Sequence, residues 1–201
     1  MITSTFMKKQ VITPTMIMEA TIHYVAAYGL ENTTTKKIAT SMGISEGTIF
    51  NNFPNKPTLF SECLYYIDRQ IDPLLKLTPM ELLHPSQAIH DLWFRYFNFL
   101  LEHGDYAKYY RQYRQSSYYD ANVVAGQDSS YSLFVKLIHQ NSHFFKFNPD
   151  FYWVFIIETT LNFAVRIIDG NLPGTPKDIE RIYGLISHGF IGNMHFGKKE
   201  T

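Results

Sequence analysis

The sequence predicts an all-α fold, and three observations carry that prediction. Apolar residues recur at three- and four-residue steps along most of the chain. No stretch sustains the every-second-residue alternation of a strand, and no internal repeat is present. Breakers fall between the periodic runs, at Gly29, Gly43, Pro54, Pro73, Pro79, Pro85 and Gly104. A chain of 201 residues can form one compact unit or a small domain fused to a larger one. Hydrophobic residues at 45% against 18% charged exclude a disordered chain.

The first helix is predicted over residues 14 to 28. Thr13 is a suitable N-cap, Pro14 a good first-turn residue, and Gly29 a stop. Its predicted inner stripe is Ile17, Ala20, Tyr24 and Ala27. Thr33 or Thr34 can cap a short second helix, with Ile38, Ala39 and Met42 facing inward and Gly43 ending it. Ser45 can cap a third helix that runs to Asn51 or Asn52, where Pro54 and Asn55 break it. A fourth is predicted from about Lys56 to Lys76, with Leu59, Phe60, Cys63, Leu64, Ile67, Ile71 and Leu74 on one face. Residues 86 to 103 are strongly amphipathic, and Gly104 separates them from "DYAKYYRQYRQSSYY". Residues 117 to 130, rich in Ser, Asp and Gly, have the composition of a surface loop. Further helices are predicted at about 131 to 146, 149 to 169 and 176 to 195, with "DGNLPGTP" joining the last two.

The stretch "GISEGTIFNNFPNKPTLF", residues 43 to 60, mixes breakers with buried-looking apolar residues. A helix-turn-helix resolves the conflict. Gly43 admits the left-handed backbone that closes helix two in a tight turn. Ile44 plugs the interior, and Ile49 and Phe53, four apart, pin one face of helix three. The opposite face carries Glu46, Gly47 and Thr48, all small or polar. Gly47 costs about 1 kcal/mol relative to Ala in a helix interior, which makes sense where something bulky must approach the backbone.

Charge is zero overall but unevenly spread. Residues 1 to 60 hold five lysines against three glutamates, leaving thirteen basic and fifteen acidic residues beyond them. That mild split fits a polyanion-binding head on a neutral body. Cys63 is the sole cysteine, so no intramolecular disulfide can form and nothing points to an oxidising compartment. "MITSTFMKKQ" lacks the long apolar core of a signal peptide. "YWVFIIETTLNFAVRII" is broken by Glu158, Asn162 and Arg166 and reads as a buried helix rather than a membrane span. A cytoplasmic location and no membrane partner are expected.

From about Ile17 to Phe60, "AYGLENTTTKKIATSMGISEGTIFNNFPNKPTLF" included, the chain resembles the tetracycline-repressor (TetR) family of bacterial transcription regulators. The matching features are a first helix ending in Gly, a Thr-rich start to helix two, and the run of Ile-Ala, Gly-Ile-Ser, Gly-Thr-Ile, Phe, Lys and Leu at fixed offsets. The resemblance implies a three-helix DNA-binding domain over 1–56, joined by a long helix to an α-helical effector-binding and dimerisation domain over 57–201. The expected partners are a double-stranded DNA operator, a second copy of the chain and a small-molecule effector, most readily with the effector releasing a repressor from DNA. Neither catalytic residues, nor a cofactor, nor a metal is expected.

Carried over by position, Thr34, Thr35 and Lys36 open helix two, where backbone amides and hydroxyls meet a phosphate. Ser45, Glu46, Gly47, Thr48, Phe50, Asn51 and Asn52 form the surface for the major groove, with Thr48 and Asn51 best suited to read base edges. Lys56 should hold a backbone phosphate. Two positions depart from the family pattern. Phe50 stands where Tyr is usual and lacks its hydroxyl, and Asn52 stands where an aromatic residue or His is frequent.

One short recognition helix reads few base pairs, so two are required and a homodimer is expected. Ile179, Ile182, Ile186 and Phe190 form one apolar stripe, and Phe155, Leu161 and Val165 a second. These are the candidate interface, although part of them must pack on their own domain. Effector contacts are sought among Trp93, Phe97, Tyr109, Tyr110 and Tyr113, and among Phe134, His139, Phe144, Trp153 and Asn162. An aromatic lining suits a flat or apolar effector, while core filling is the commoner role of such residues.

Two other classes fit the residues less well. "HQNSH" places His139 and His143 one turn apart, but Gln140 stands where a zinc protease needs its Glu, and no third ligand is evident. Neither Ser61 nor Cys63 has a recognisable catalytic partner. The alternative outside enzymology is a helical adaptor that binds a protein through the same helix-turn-helix.

Overall fold

A computed structural model describes residues 11–130 and 149–190. Among these residues the regular secondary structure is entirely helical, and the predicted helix-turn-helix forms. Helix α1 spans Pro14–Tyr28, with the Thr13 hydroxyl accepting from the Met16 N–H at 3.2 Å. Its buried residues are Ile17, Met18, Thr21, Ile22 and Val25. The predicted stripe is therefore rotated: Ala20 and Tyr24 are half-buried, and Ala27 is exposed. Thr21 hides the true face in the sequence. It can be buried because its hydroxyl donates to the Ile17 carbonyl at 2.7 Å.

Helix α2 is Thr35–Met42, α3 Glu46–Asn52 and α4 Lys56–Ile71. Every predicted inner residue of α4 through Ile71 is fully buried. The α-helix stops five residues short of its predicted end. Pro73 has no N–H to offer the Arg69 carbonyl, and the chain continues as a 3₁₀ turn over Asp72–Leu75. A second 3₁₀ turn, Glu81–Leu83, leads into α5, Pro85–Glu102. Gly104 does not sit in a gap but opens α6, Gly104–Arg114.

The largest departure is helix α7, Ala121–Ser130, where a surface loop is predicted. Asp120 starts it, its carboxylate accepting from the N–H groups of Asn122 and Val123 at 2.9 and 3.1 Å. Gly126 explains the composition. A Cβ there would lie 2.6 Å from the Tyr65 hydroxyl, so the glycine is what lets α7 close onto α4. The remaining helices are α8, Pro149–Ile168, and α9, Pro176–Phe190. The helix predicted at about 131 to 146 and the last residues of the one predicted to 195 lie outside the described residues.

One continuous core joins the head to the body. It runs from Ile17, Ile22, Ile38 and Ile49 through the α4 face to Phe97, Leu100, Tyr109, Leu161 and Val165. Helix α6 is its hub, packed against α1, α4, α5 and α8. Gln112 of α6 braces the end of α1 from both sides. Its carbonyl accepts from the Leu30 N–H at 2.8 Å, and its amide donates to the Val25 carbonyl at 3.3 Å.

Candidate nucleic-acid interface

The turn between α2 and α3 is built by backbone hydrogen bonds. Gly43 is left-handed at φ 67°. Its N–H reaches the Thr40 carbonyl at 3.1 Å, and the Ile44 N–H reaches Ala39 at 3.0 Å. These paired bonds satisfy the last carbonyls of α2 and leave Ile44 against the core. The Ser45 hydroxyl then accepts from the Thr48 N–H at 3.2 Å and starts α3. Ile49 and Phe53 are buried and anchor α3 from beneath. Ser45, Gly47, Phe50 and Asn51 are exposed, while Glu46, Thr48 and Asn52 are half-buried.

Five side chains in this surface are already engaged: Thr35, Ser45, Glu46, Thr48 and Asn52. The Thr35 hydroxyl donates to the Glu46 carboxylate at 2.5 Å, and Thr35 is only 8% exposed. This bond ties the start of α2 to the start of α3 and turns the Thr35 side chain away from solvent. The Thr48 hydroxyl lies 2.9 Å from that of Ser45, and the Asn52 amide donates to the Thr48 carbonyl at 2.8 Å. Asn51, Phe50 and Lys36 carry no such internal bond among the described residues and face outward. The Thr34 hydroxyl caps α2 by accepting from the Lys37 N–H at 3.2 Å. Lys56 opens α4, with the Asn55 side-chain Oδ1 accepting from the Thr58 N–H at 2.8 Å to cap that helix.

The aromatic residues of the body fall into two groups. Trp93 and Phe97 stack at 4.6 Å, and the Trp93 indole N–H donates to Thr160 at 3.0 Å. Tyr109, Tyr110 and Tyr113 are fully buried along α6. Their hydroxyls donate to the Phe60 carbonyl, the Asp68 carboxylate and the Tyr118 carbonyl, at 2.7, 2.9 and 3.0 Å. Burial holds the Tyr109 and Tyr113 phenols above their ordinary pKa, so they remain neutral donors. Asn162 is half-buried and donates to the Glu158 carbonyl at 2.8 Å. Phe134, His139, His143 and Phe144 lie outside the described residues, as does the side chain of Trp153.

A buried polar network crosses this region, and nothing in the sequence pattern announces it. Asp68, on the apolar face of α4, accepts from Tyr110 and from the Gln127 amide, the latter at 2.9 Å. The Gln127 carbonyl accepts from Tyr119 at 2.8 Å, and Tyr119 accepts from Arg114 at 2.6 Å. Arg114 also donates to Glu158 at 2.7 Å. Burial works against the Arg114 charge, but facing Tyr110, Tyr119 and Glu158 hold its pKa above the ordinary value. The chain of bonds links α4, α6, α7 and α8.

Burial also sorts the candidate interface residues. Leu161, Val165, Ile179, Ile182 and Ile186 are buried within the single chain, so they pack α8 and α9 onto their own body. The apolar side chains left outside are Phe151, Val154 and Phe155 on α8, at steps of three and one, and Leu185 on α9. Phe155 is the one member of the predicted set among them. The side chain of Phe190 lies outside the described residues.

Residues 17–63 match the profile of the bacterial regulatory proteins of the tetR family. They form a TetR-family head. Beyond the head, the likeness in fold extends over most of the chain. A TetR-family transcription regulator from Marinobacter aquaeolei VT8 superposes with a TM-score of 0.74 at 19% identity, over 88% of this chain and 94% of that one. The fatty acid degradation regulator FadR from Bacillus halodurans gives 0.61 at 14% identity, over 89% and 98%. NalD of Pseudomonas aeruginosa, the secondary repressor of the MexAB-OprM multidrug efflux pump, gives 0.59 at 18%, over 90% and 97%. No curated protein sequence matches the chain. The head thus matches a family of bacterial regulatory proteins, and the likeness beyond it is one of fold. Among the described residues no cluster of His, Cys, Asp and Glu could hold a metal, and no helix is long and apolar enough to cross a membrane.

Proposed function

We propose that this TetR-family chain is a repressor that reads a palindromic DNA operator as a homodimer and is released by a small apolar or aromatic effector. The observation that carries the DNA reading is the outer face of α3. It is held at a fixed angle by the Gly43 turn and by Ile49 and Phe53, and it presents Ser45, Gly47, Phe50 and Asn51 to solvent. Asn51 is the base reader of first choice, because its amide has no internal partner among the described residues and matches an adenine edge. Thr48 is second, since its hydroxyl is shared with Ser45. Thr34 and Lys36 flank a phosphate at the start of α2, whereas Thr35 contributes by fixing Glu46.

Dimerisation is supported by Phe151, Val154, Phe155 and Leu185, an apolar face that a single chain leaves in water. The effector reading is supported by the aromatic interior around Trp93, Tyr109 and Tyr110, whose own polar groups are already bonded. An effector entering such an interior must be largely apolar. The reading as a repressor follows NalD, and a cytoplasmic site of action follows from a DNA target. The test is duplex binding across a salt series. A DNA-binding head loses affinity linearly in log salt because neutralised phosphates release counterions. Affinity for duplex DNA that is absent, or unmoved by salt, contradicts the proposal.

A further inference from the structure

Lys56 does not point freely into solvent. Its ammonium lies 4.9 Å from the centroid of the Phe60 ring, one turn further along α4, and 5.5 Å from that of Tyr118. The two rings meet edge to face at 5.3 Å with an interplanar angle of 73°, forming an aromatic corner. Both distances fall within cation–π range. Among the described residues no carboxylate pairs with Lys56. The side chain thus runs back along α4 toward the body, although its Cα sits at the helix terminus nearest the recognition helix.

Phe60 is a fixed wall, fully buried in the core. Tyr118 belongs to the body, in the link between α6 and α7, and it is held from several directions. Its carbonyl accepts from Tyr113 at 3.0 Å, its N–H donates to Ser116 at 3.2 Å, and its ring stacks on Tyr113 at 6.5 Å. The next residue, Tyr119, is bonded to Arg114 and Gln127 in the buried network. The residue that covers the lysine is therefore chained to the interior of the body.

We propose that Tyr118 is a positioning residue that withholds Lys56 from the DNA backbone, so that the α6–α7 link of the body sets how readily the head engages phosphate. The proposal rests on the DNA-binding reading above. To meet a phosphate the ammonium must leave the corner, and the free energy of the corner is subtracted from binding. A cation–π contact at a partly exposed site accounts for about a two- to five-fold loss in affinity. Because phosphate contact is blind to sequence, the effect is the same on every duplex.

The experiment measures binding of a random-sequence duplex at low salt by fluorescence anisotropy, for the full chain and its variants. Tyr118→Ala should bind about two- to five-fold more tightly than wild type. Tyr118→Phe keeps the ring and should match wild type, while Lys56→Ala should bind more weakly. In the Lys56→Ala background, Tyr118→Ala should bring no gain. That last comparison separates withholding from a general loosening of the body, which would change affinity with or without the lysine. Unchanged or weaker binding by Tyr118→Ala, or an equal gain without Lys56, overturns the proposal. A wild-type chain that binds no duplex overturns the DNA reading and the proposal with it, and is told apart because no variant then needs comparison.

Discussion

At the residue scale, Gly47 separates fold from function most cleanly. A Cβ added there meets only the Ser45 hydroxyl oxygen, at an ordinary 3.7 Å. The chain itself therefore has no steric need of glycine. Gly47→Ala should raise stability by up to about 1 kcal/mol in urea unfolding while weakening operator binding, because a methyl would stand between α3 and the groove. Stabilisation with full operator affinity would show that nothing approaches that backbone. On the proposed DNA-binding reading, Lys56 and Asn51 have different tasks. Lys56→Ala should lower affinity for all duplexes alike and flatten the salt slope by about one. Asn51→Ala should cost about 1–3 kcal/mol on the operator and little on random DNA, as measured by competition between the two. Thr35 and Glu46 show where reading by position stops. Their place in the motif was legible from the sequence, but the bond that turns Thr35 inward is a tertiary fact.

At the scale of elements, most helix starts and stops were legible from a cap or breaker, although α4 ends at Ile71, ahead of Pro73, and Gly104 opens a helix instead of separating two. Thr13, Thr34 and Ser45 each accept the predicted kind of backbone N–H, and Asn55, expected only to break α3, also caps α4. What escaped was burial by polar or small residues. Thr21 sits on the inner face of α1 by bonding its own helix. Helix α7 reads as a loop because its glycine and its polar residues serve contacts with α4, through Tyr65 and Asp68. Gln127→Leu should therefore destabilise the chain by about 1.5–3 kcal/mol in urea unfolding, since it removes one of Asp68's partners and an acceptor for Tyr119. An unchanged midpoint would mean that the Gln127 bonds contribute no net stability. Packing of α1 on α4 has its own reporter in Cys63. That thiol is fully buried, its Sγ 3.6 Å from the Met18 carbonyl, and burial keeps its pKa well above the ordinary value. It should react with a disulfide reagent only at the rate of unfolding, and prompt labelling of the native chain would show that α1 opens locally.

For the molecule as a whole, the decisive question at the C-terminal helices is which apolar residues serve the core and which serve a partner. Sequence periodicity identified α8 and α9 but could not assign their faces, because apolar residues such as Phe151, Phe155 and Leu185 also stand outside the buried stripes. Burial assigns Ile182, 6% exposed, to the interior, and leaves Phe155 at 42% and Leu185 at 67% outside. Phe155→Glu with Leu185→Glu should give a folded monomer with normal helicity and weak operator binding. Ile182→Glu should instead lower the unfolding midpoint, because it buries an unpaired charge. Analytical ultracentrifugation and circular dichroism distinguish the two outcomes. A Phe155→Glu, Leu185→Glu chain that stays dimeric would place the contact elsewhere.

Selection of bound duplexes from a random DNA pool tests the DNA-binding, dimeric reading most directly. Two α3 helices held by one dimer should enrich an inverted repeat whose half-sites lie about one helical turn, or a multiple of it, apart. Recovered sequences indistinguishable from the input pool, or a single unpaired half-site, would contradict it.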